Sequence, residues 1–139
     1  RLEKMEKFVF HGSPKQISEL EPRNPIHDAT NNPDNKRTAV YAYSSCALGT
    51  QRAILQSRND WEGDWDVVGG MDPNNPEIPL LMTTPNVSLG LGYVYVLPRS
   101  LFRYTGGYQW ISESKVRPVA TVQVDPKVYL LMGGVYRTI

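Results

Sequence analysis

The feature that most limits what this chain can fold into is a series of short alternating segments, closed by turn-forming residues, with no helix-length pattern between the later ones. KFVFH (7–11) places Phe8 and Phe10 on one face and Val9 and His11 on the other. Such period-two alternation marks a half-buried strand. TAVYAY (38–43), YVYVL (93–97), YQWIS (108–112) and PVATVQV (118–124) read the same way, as do the apolar run at 128–132 and a short piece at 80–84. Two early segments suit helices. Over 44–56, a Ser44 or Ser45 cap precedes Ala47, Leu48, Gln51, Ile54 and Leu55 near one face. Over 13–20, Ser13 caps, Pro14 takes the first helical position and Gln16 lies three after the cap. Parallel strands need long, usually helical crossovers, and this chain shows no strand–helix–strand alternation. The expected class is therefore α+β with mostly antiparallel strands.

A length of 139 residues suits one domain, expected over 1–139, with no internal repeat or linker to divide it. The Asn- and Pro-rich stretch 24–37 reads as an exposed, mobile loop, and 57–92 as largely irregular. Fifteen basic residues against fourteen acidic ones leave a net charge of +1. That balance supplies no general electrostatic attraction to nucleic acid or a membrane surface. The single cysteine, Cys46, cannot form an internal disulfide, and no Cys/His spacing suits zinc. Asp60, Glu62, Asp64 and Asp66 alternate in DWEGDWD without the ligand spacing of a calcium loop, so a solvated acidic loop is expected and no metal. No segment is long and apolar enough to span a bilayer, and none resembles a secretory signal, so a reducing, cytoplasmic setting is expected.

Three marks occur in order along the chain. They are the strand ending Phe10-His11-Gly12-Ser13, the strand Val40-Tyr41-Ala42 followed by a capped helix, and the late strand Gln109-Trp110-Ile111-Ser112. In that order the chain resembles the ADP-ribosyltransferase-like superfamily, in its diphtheria-toxin and poly(ADP-ribose) polymerase branch, where a histidine, a tyrosine and a glutamate stand on separate strands. The His-Gly-Ser opening is also similar to that of the small rifamycin ADP-ribosyltransferases. The resemblance runs from about Phe8 to Val124 and implies a split β-sandwich with one or two helices, with NAD as co-substrate. It implies that His11 hydrogen-bonds a ribose hydroxyl and that Gly12, with Ser13 beside it, lets the backbone approach the carboxamide. It implies too that Tyr41, or Tyr43 on the same face, lies against the nicotinamide ring. Cleavage of the nicotinamide–ribose bond passes through a cationic, oxocarbenium-like state, so such a site must hold the ribose and tolerate positive charge.

The third mark departs from the family. Where the resemblance implies a carboxylate, this chain has Gln109, which keeps a hydrogen bond and loses the charge. A unit charge about 4 Å away at an effective dielectric near 20 is worth about 4 kcal/mol, or roughly a thousandfold in rate. Glu113 is the nearest replacement, but it lies four residues on, about 13 Å along an extended strand. The resemblance thus implies an NAD-dependent mono-ADP-ribosyltransferase, weakened at Gln109, with Gln109 or Glu113 on the acceptor side and a protein or small molecule as acceptor. Its alternatives are a non-catalytic module that binds NAD or ADP-ribose, and a protein-interaction module on the same fold.

Overall fold

The computed structural model describes residues 7–22, 38–56, 67–85 and 87–138. In chain order these form β1 (Phe8–Ser13), β2 (Val40–Tyr43), α1 (Cys46–Ile54), β3 (Val67–Val68), β4 (Met71–Asp72), β5 (Asn75–Thr83) and β6 (Gly92–Pro98). A 3-10 turn over Arg99–Leu101 then leads to β7 (Arg103–Gly106), β8 (Gln109–Ser112), β9 (Ala120–Val124), α2 (Pro126–Leu131) and β10 (Val135–Thr138). The class is α+β. A six-stranded antiparallel sheet runs β7-β8-β2-β1-β6-β9, and a smaller one runs β10-β5-β3, with β4 also on β5. The single parallel pair among them is β5 with β10.

Alternation within the strands builds a core on each face of the large sheet. Phe10, Val94, Val96 and Val124 pack with Ala53 and Ile54 of α1, Leu81 of β5 and Tyr129 of α2. On the opposite face, Val9, Val40, Ala42, Tyr95 and Leu97 pack with Leu20, Phe102 and Val116. Helix α1 starts where Ser45 accepts the backbone N–H of Leu48, the expected cap. It then presses backbone to backbone on the sheet. A Cβ on Gly12 would lie 1.8 Å from the Gly49 carbonyl oxygen, and one on Gly92 would lie 1.8 Å from that of Ala53. Beneath the helix, buried Gln51 exchanges hydrogen bonds with Gly70 and donates to the Tyr129 hydroxyl, which donates to Val135. One satisfied buried network thus ties α1 to the β3–β4 turn, α2 and the start of β10.

Three expectations are corrected. No helix follows Ser13, which remains in β1 and accepts the N–H of Lys15. The fully buried Tyr95 instead accepts the N–H of Ile17 at 2.6 Å and donates to the Lys15 carbonyl at 2.8 Å, meeting the groups a helical turn would have met internally. Burial holds the Tyr95 phenol above its ordinary range, so it stays protonated and able to donate. The run at 128–132 falls mostly in helix α2 rather than a strand, because Asp125 caps it by accepting from Val128 at 3.0 Å and Pro126 opens it. Finally, 67–79 carries β3, β4 and the first part of β5 where irregular chain was expected; the short strand expected at 80–84 is the end of β5, which is nine residues long despite Pro76 and Pro79. The loop at 24–37 and the acidic Trp61–Trp65 stretch lie outside the described residues.

The Asp125 cap gives a first test. Asp125→Ala is expected to cost about 1 kcal/mol, while Asp125→Asn, which keeps the accepting oxygen, should stay within a few tenths of that value of wild type in chemical denaturation.

Candidate functional site

The strands bearing the three marks are adjacent, in the order β8-β2-β1. Phe10 pairs with Tyr43, and Tyr43 pairs with Gln109, so these side chains share one face of the sheet. Tyr41, two residues from Tyr43, lies on that same face, which is the face covered by α1. The guanidinium of Arg52 on α1 sits 4.5 Å from the centre of the Tyr43 ring. Arg52 was not singled out from the sequence. Its signal was a basic residue in the last turn of the helix after β2, readable only once the helix is laid over the strand.

His11 is rooted on the other face. It pairs with Tyr95, whose ring centroid lies 6.2 Å from its own at an interplanar angle of 44°. Its half-buried ring nevertheless reaches across to β2, where Nδ1 lies 2.6 Å from the Tyr41 carbonyl oxygen. Since a carbonyl only accepts, Nδ1 carries a proton, and whenever the ring is neutral Nε2 is its acceptor nitrogen. This bond spans strands that pair at Phe10–Tyr43, whereas β1 and β6 stay in register from Phe8–Pro98 to Ser13–Tyr93. The sequence-derived set is therefore only partly assembled. Tyr41, Tyr43 and Gln109 share a face, and His11 joins them through the Tyr41 main chain rather than by facing them.

Gln109 is half-buried and donates from Nε2 to the Thr105 hydroxyl at 3.1 Å, while that hydroxyl donates to the Gln109 carbonyl at 3.2 Å. Glu113 lies past the end of β8, at the turn where Ser112 accepts the N–H of Ser114. Its carboxylate lies 3.9 Å from Arg103 on β7, the neighbour of β8 on the side away from β2. Glu113 is thus drawn away from Tyr41 and Tyr43. Gly12 has a packing reason of its own in the Gly49 contact, and Ser13 is buried and engaged with Lys15.

No protein-family model matches this chain, and no curated protein or solved structure matches it either. The functional argument therefore rests on the residues themselves. Among the described residues, no group of three His, Cys, Asp or Glu side chains gathers as metal ligands would, and no helix is long and apolar enough to cross a membrane. What the strip offers chemically is an imidazole nitrogen able to accept from a hydroxyl, two tyrosine rings, a guanidinium and a neutral amide. These groups suit recognition of a polar, aromatic ligand better than acid–base chemistry.

Proposed function

We propose that this chain is an ADP-ribosyltransferase-like domain, a split β-sandwich that takes NAD along the β1–β2–β8 strip and transfers ADP-ribose slowly to a protein or small-molecule acceptor. The observation that carries the reading is the adjacency of the strands bearing His11, Tyr41 and Gln109, with the His11 tautomer set by the Tyr41 carbonyl. A ribose hydroxyl donating to Nε2 fits that tautomer. The ring of Tyr43 attracts cations, as its contact with Arg52 illustrates, and oxidised nicotinamide is a cationic ring. The Arg52 contact is worth about 0.5–2 kcal/mol, too little to hold off a ligand with several further contacts.

A second reading, binding of NAD or ADP-ribose without turnover, is supported by the neutral amide of Gln109 and by the pairing of Glu113 with Arg103. Thermal unfolding with and without NAD tests what the two readings share. At a hundredfold excess over its dissociation constant, NAD should add about 2.7 kcal/mol of stability. His11→Ala should remove most of that protection, judged against the variant's own unliganded melting temperature, which loss of the Tyr41 bond lowers. Release of nicotinamide by the wild type then separates slow transfer from binding alone. Absence of protection in the wild type would reject both.

A further inference from the structure

A cation of the protein's own already occupies the ring on which the cationic nicotinamide would rest. Tyr43 is the middle of the strip, with Phe10 its partner on β1 and Gln109 its partner on β8, and the guanidinium of Arg52 lies 4.5 Å from the centre of its ring. That face of the ring can hold only one cation at a time. A ligand stacking there must displace Arg52. How far Arg52 can retreat is limited by the seating of α1. In the next residue, Ala53, the nitrogen lies 2.7 Å from the position of a Cβ on Gly12, and the carbonyl oxygen 1.8 Å from that of a Cβ on Gly92. The main chain beside Arg52 is thus pressed onto β1 and β6, and only the side chain can turn aside.

A displaced guanidinium therefore stays beside the strip, and its fork of N–H donors meets whatever the ligand carries next to the ring. In NAD that neighbour is a ribose followed by a diphosphate. Guanidinium matches phosphate oxygens with paired, charge-assisted hydrogen bonds, which outweigh a contact with a ring face. We propose that Arg52 is a specificity-determining residue of this site: it covers the Tyr43 ring in the free protein and exchanges that ring for the diphosphate when a dinucleotide enters. The inference rests on the NAD reading above and adds a rule of selection to it. A cationic ring without phosphate must expel Arg52 and gains no contact from it, whereas a ligand carrying the diphosphate recovers the cation that its ring displaces.

Two probes separate the halves of this exchange. Nicotinamide riboside carries the cationic ring and no phosphate, and ADP-ribose carries the diphosphate and no nicotinamide. In binding titrations, Arg52→Ala should tighten the riboside by about threefold, because the ring is freed. The same variant should weaken ADP-ribose by about tenfold, because the charge-assisted hydrogen bonds are lost. Arg52→Lys keeps the charge without the fork, so it should weaken ADP-ribose by less than the alanine variant does. A purely structural role for Arg52 would move both ligands in one direction. Opposite shifts cannot come from partial unfolding, so the readout holds even where the alanine variant is less stable. A riboside bound no better by Arg52→Ala than by the wild type, or ADP-ribose bound equally well by both, would overturn the proposal and leave the NAD reading in place. A wild type that binds neither NAD nor ADP-ribose would overturn both.

Discussion

Gln109→Glu is expected to raise the rate of nicotinamide release by between about tenfold and a thousandfold, with a change of less than about threefold in NAD affinity. The ceiling is the Coulomb value of a carboxylate beside an oxocarbenium-like centre, about 4 kcal/mol at 4 Å and an effective dielectric near 20. The floor reflects the half-buried position of Gln109, where solvent screens part of that interaction. Local hydrogen bonding favours the change. The Thr105 hydroxyl donates to the residue's own carbonyl and receives the amide N–H; a carboxylate has no proton to give it and loses that tether, so it is freer to turn toward the Tyr43 side of β8. Nicotinamide release at saturating NAD, alongside a binding titration, measures both quantities. Glu113→Gln should leave turnover within a factor of about two, because that carboxylate faces Arg103. Unchanged release by a Gln109→Glu variant that still binds NAD would remove Gln109 from the site.

A large stability effect is expected at Gly12. An added methyl would sit 1.8 Å from the Gly49 carbonyl and 2.7 Å from the Ala53 nitrogen, and both are backbone atoms that cannot swing aside. Gly12→Ala should therefore fall at the upper end of overpacking, about 3 kcal/mol, which for a domain of this size lowers the melting temperature by about 10 °C. Gly49→Ala is the informative comparison. Its new methyl would lie 3.2 Å from Cβ of Phe10, needing only a small shift, and alanine gains about 1 kcal/mol of helix propensity over glycine. The two terms nearly cancel, so Gly49→Ala should stay within about 1 kcal/mol of wild type. Circular-dichroism melts of both variants give the contrast, and a Gly12→Ala protein as stable as Gly49→Ala would mean that α1 is not seated as described.

The parts of this architecture readable from the sequence are those whose signals are local. β1, β2, β6, β8 and β9 announce themselves by alternation, and α1 by a serine cap and an apolar face. The errors arose where two local signals competed or where a distant residue decided. At 128–132 the run of Val, Tyr and Leu suggested a strand, but the preceding Asp125-Pro126 start outweighed it. At 13–17 the Ser-Pro-x-Gln pattern had the form of a helix start, and a tyrosine some 80 residues away took its backbone groups instead. Only the end of β5 was read, at 80–84; its first half was concealed by its prolines because its pairing depends on β3, β4 and β10, none of which has a strong pattern alone.

The candidate site divides in the same way. The order of the marks along the chain was legible; that their strands are adjacent depends on sheet pairing. Which face each side chain takes could not be fixed without knowing that Phe10, rather than His11, pairs with Tyr43. The Arg52–Tyr43 and Thr105–Gln109 contacts depend on how α1 crosses the sheet and on the turn between β7 and β8, neither of which the alternation pattern encodes.

The two glycine seats beneath α1 also make the large sheet mechanically uneven. Gly12 and Gly92 fasten the helix to β1 and β6 by main-chain contact, where no rotamer change can relieve a displacement. On β2 the contact with the helix shown is a side-chain one, Arg52 over Tyr43, which can re-pack. A ligand bridging the two halves would thus find one fixed wall and one compliant wall, with adjustment to its shape confined to the compliant one. Adjustment to a ligand's bulk and the seating of the helix are then set by different parts of the chain.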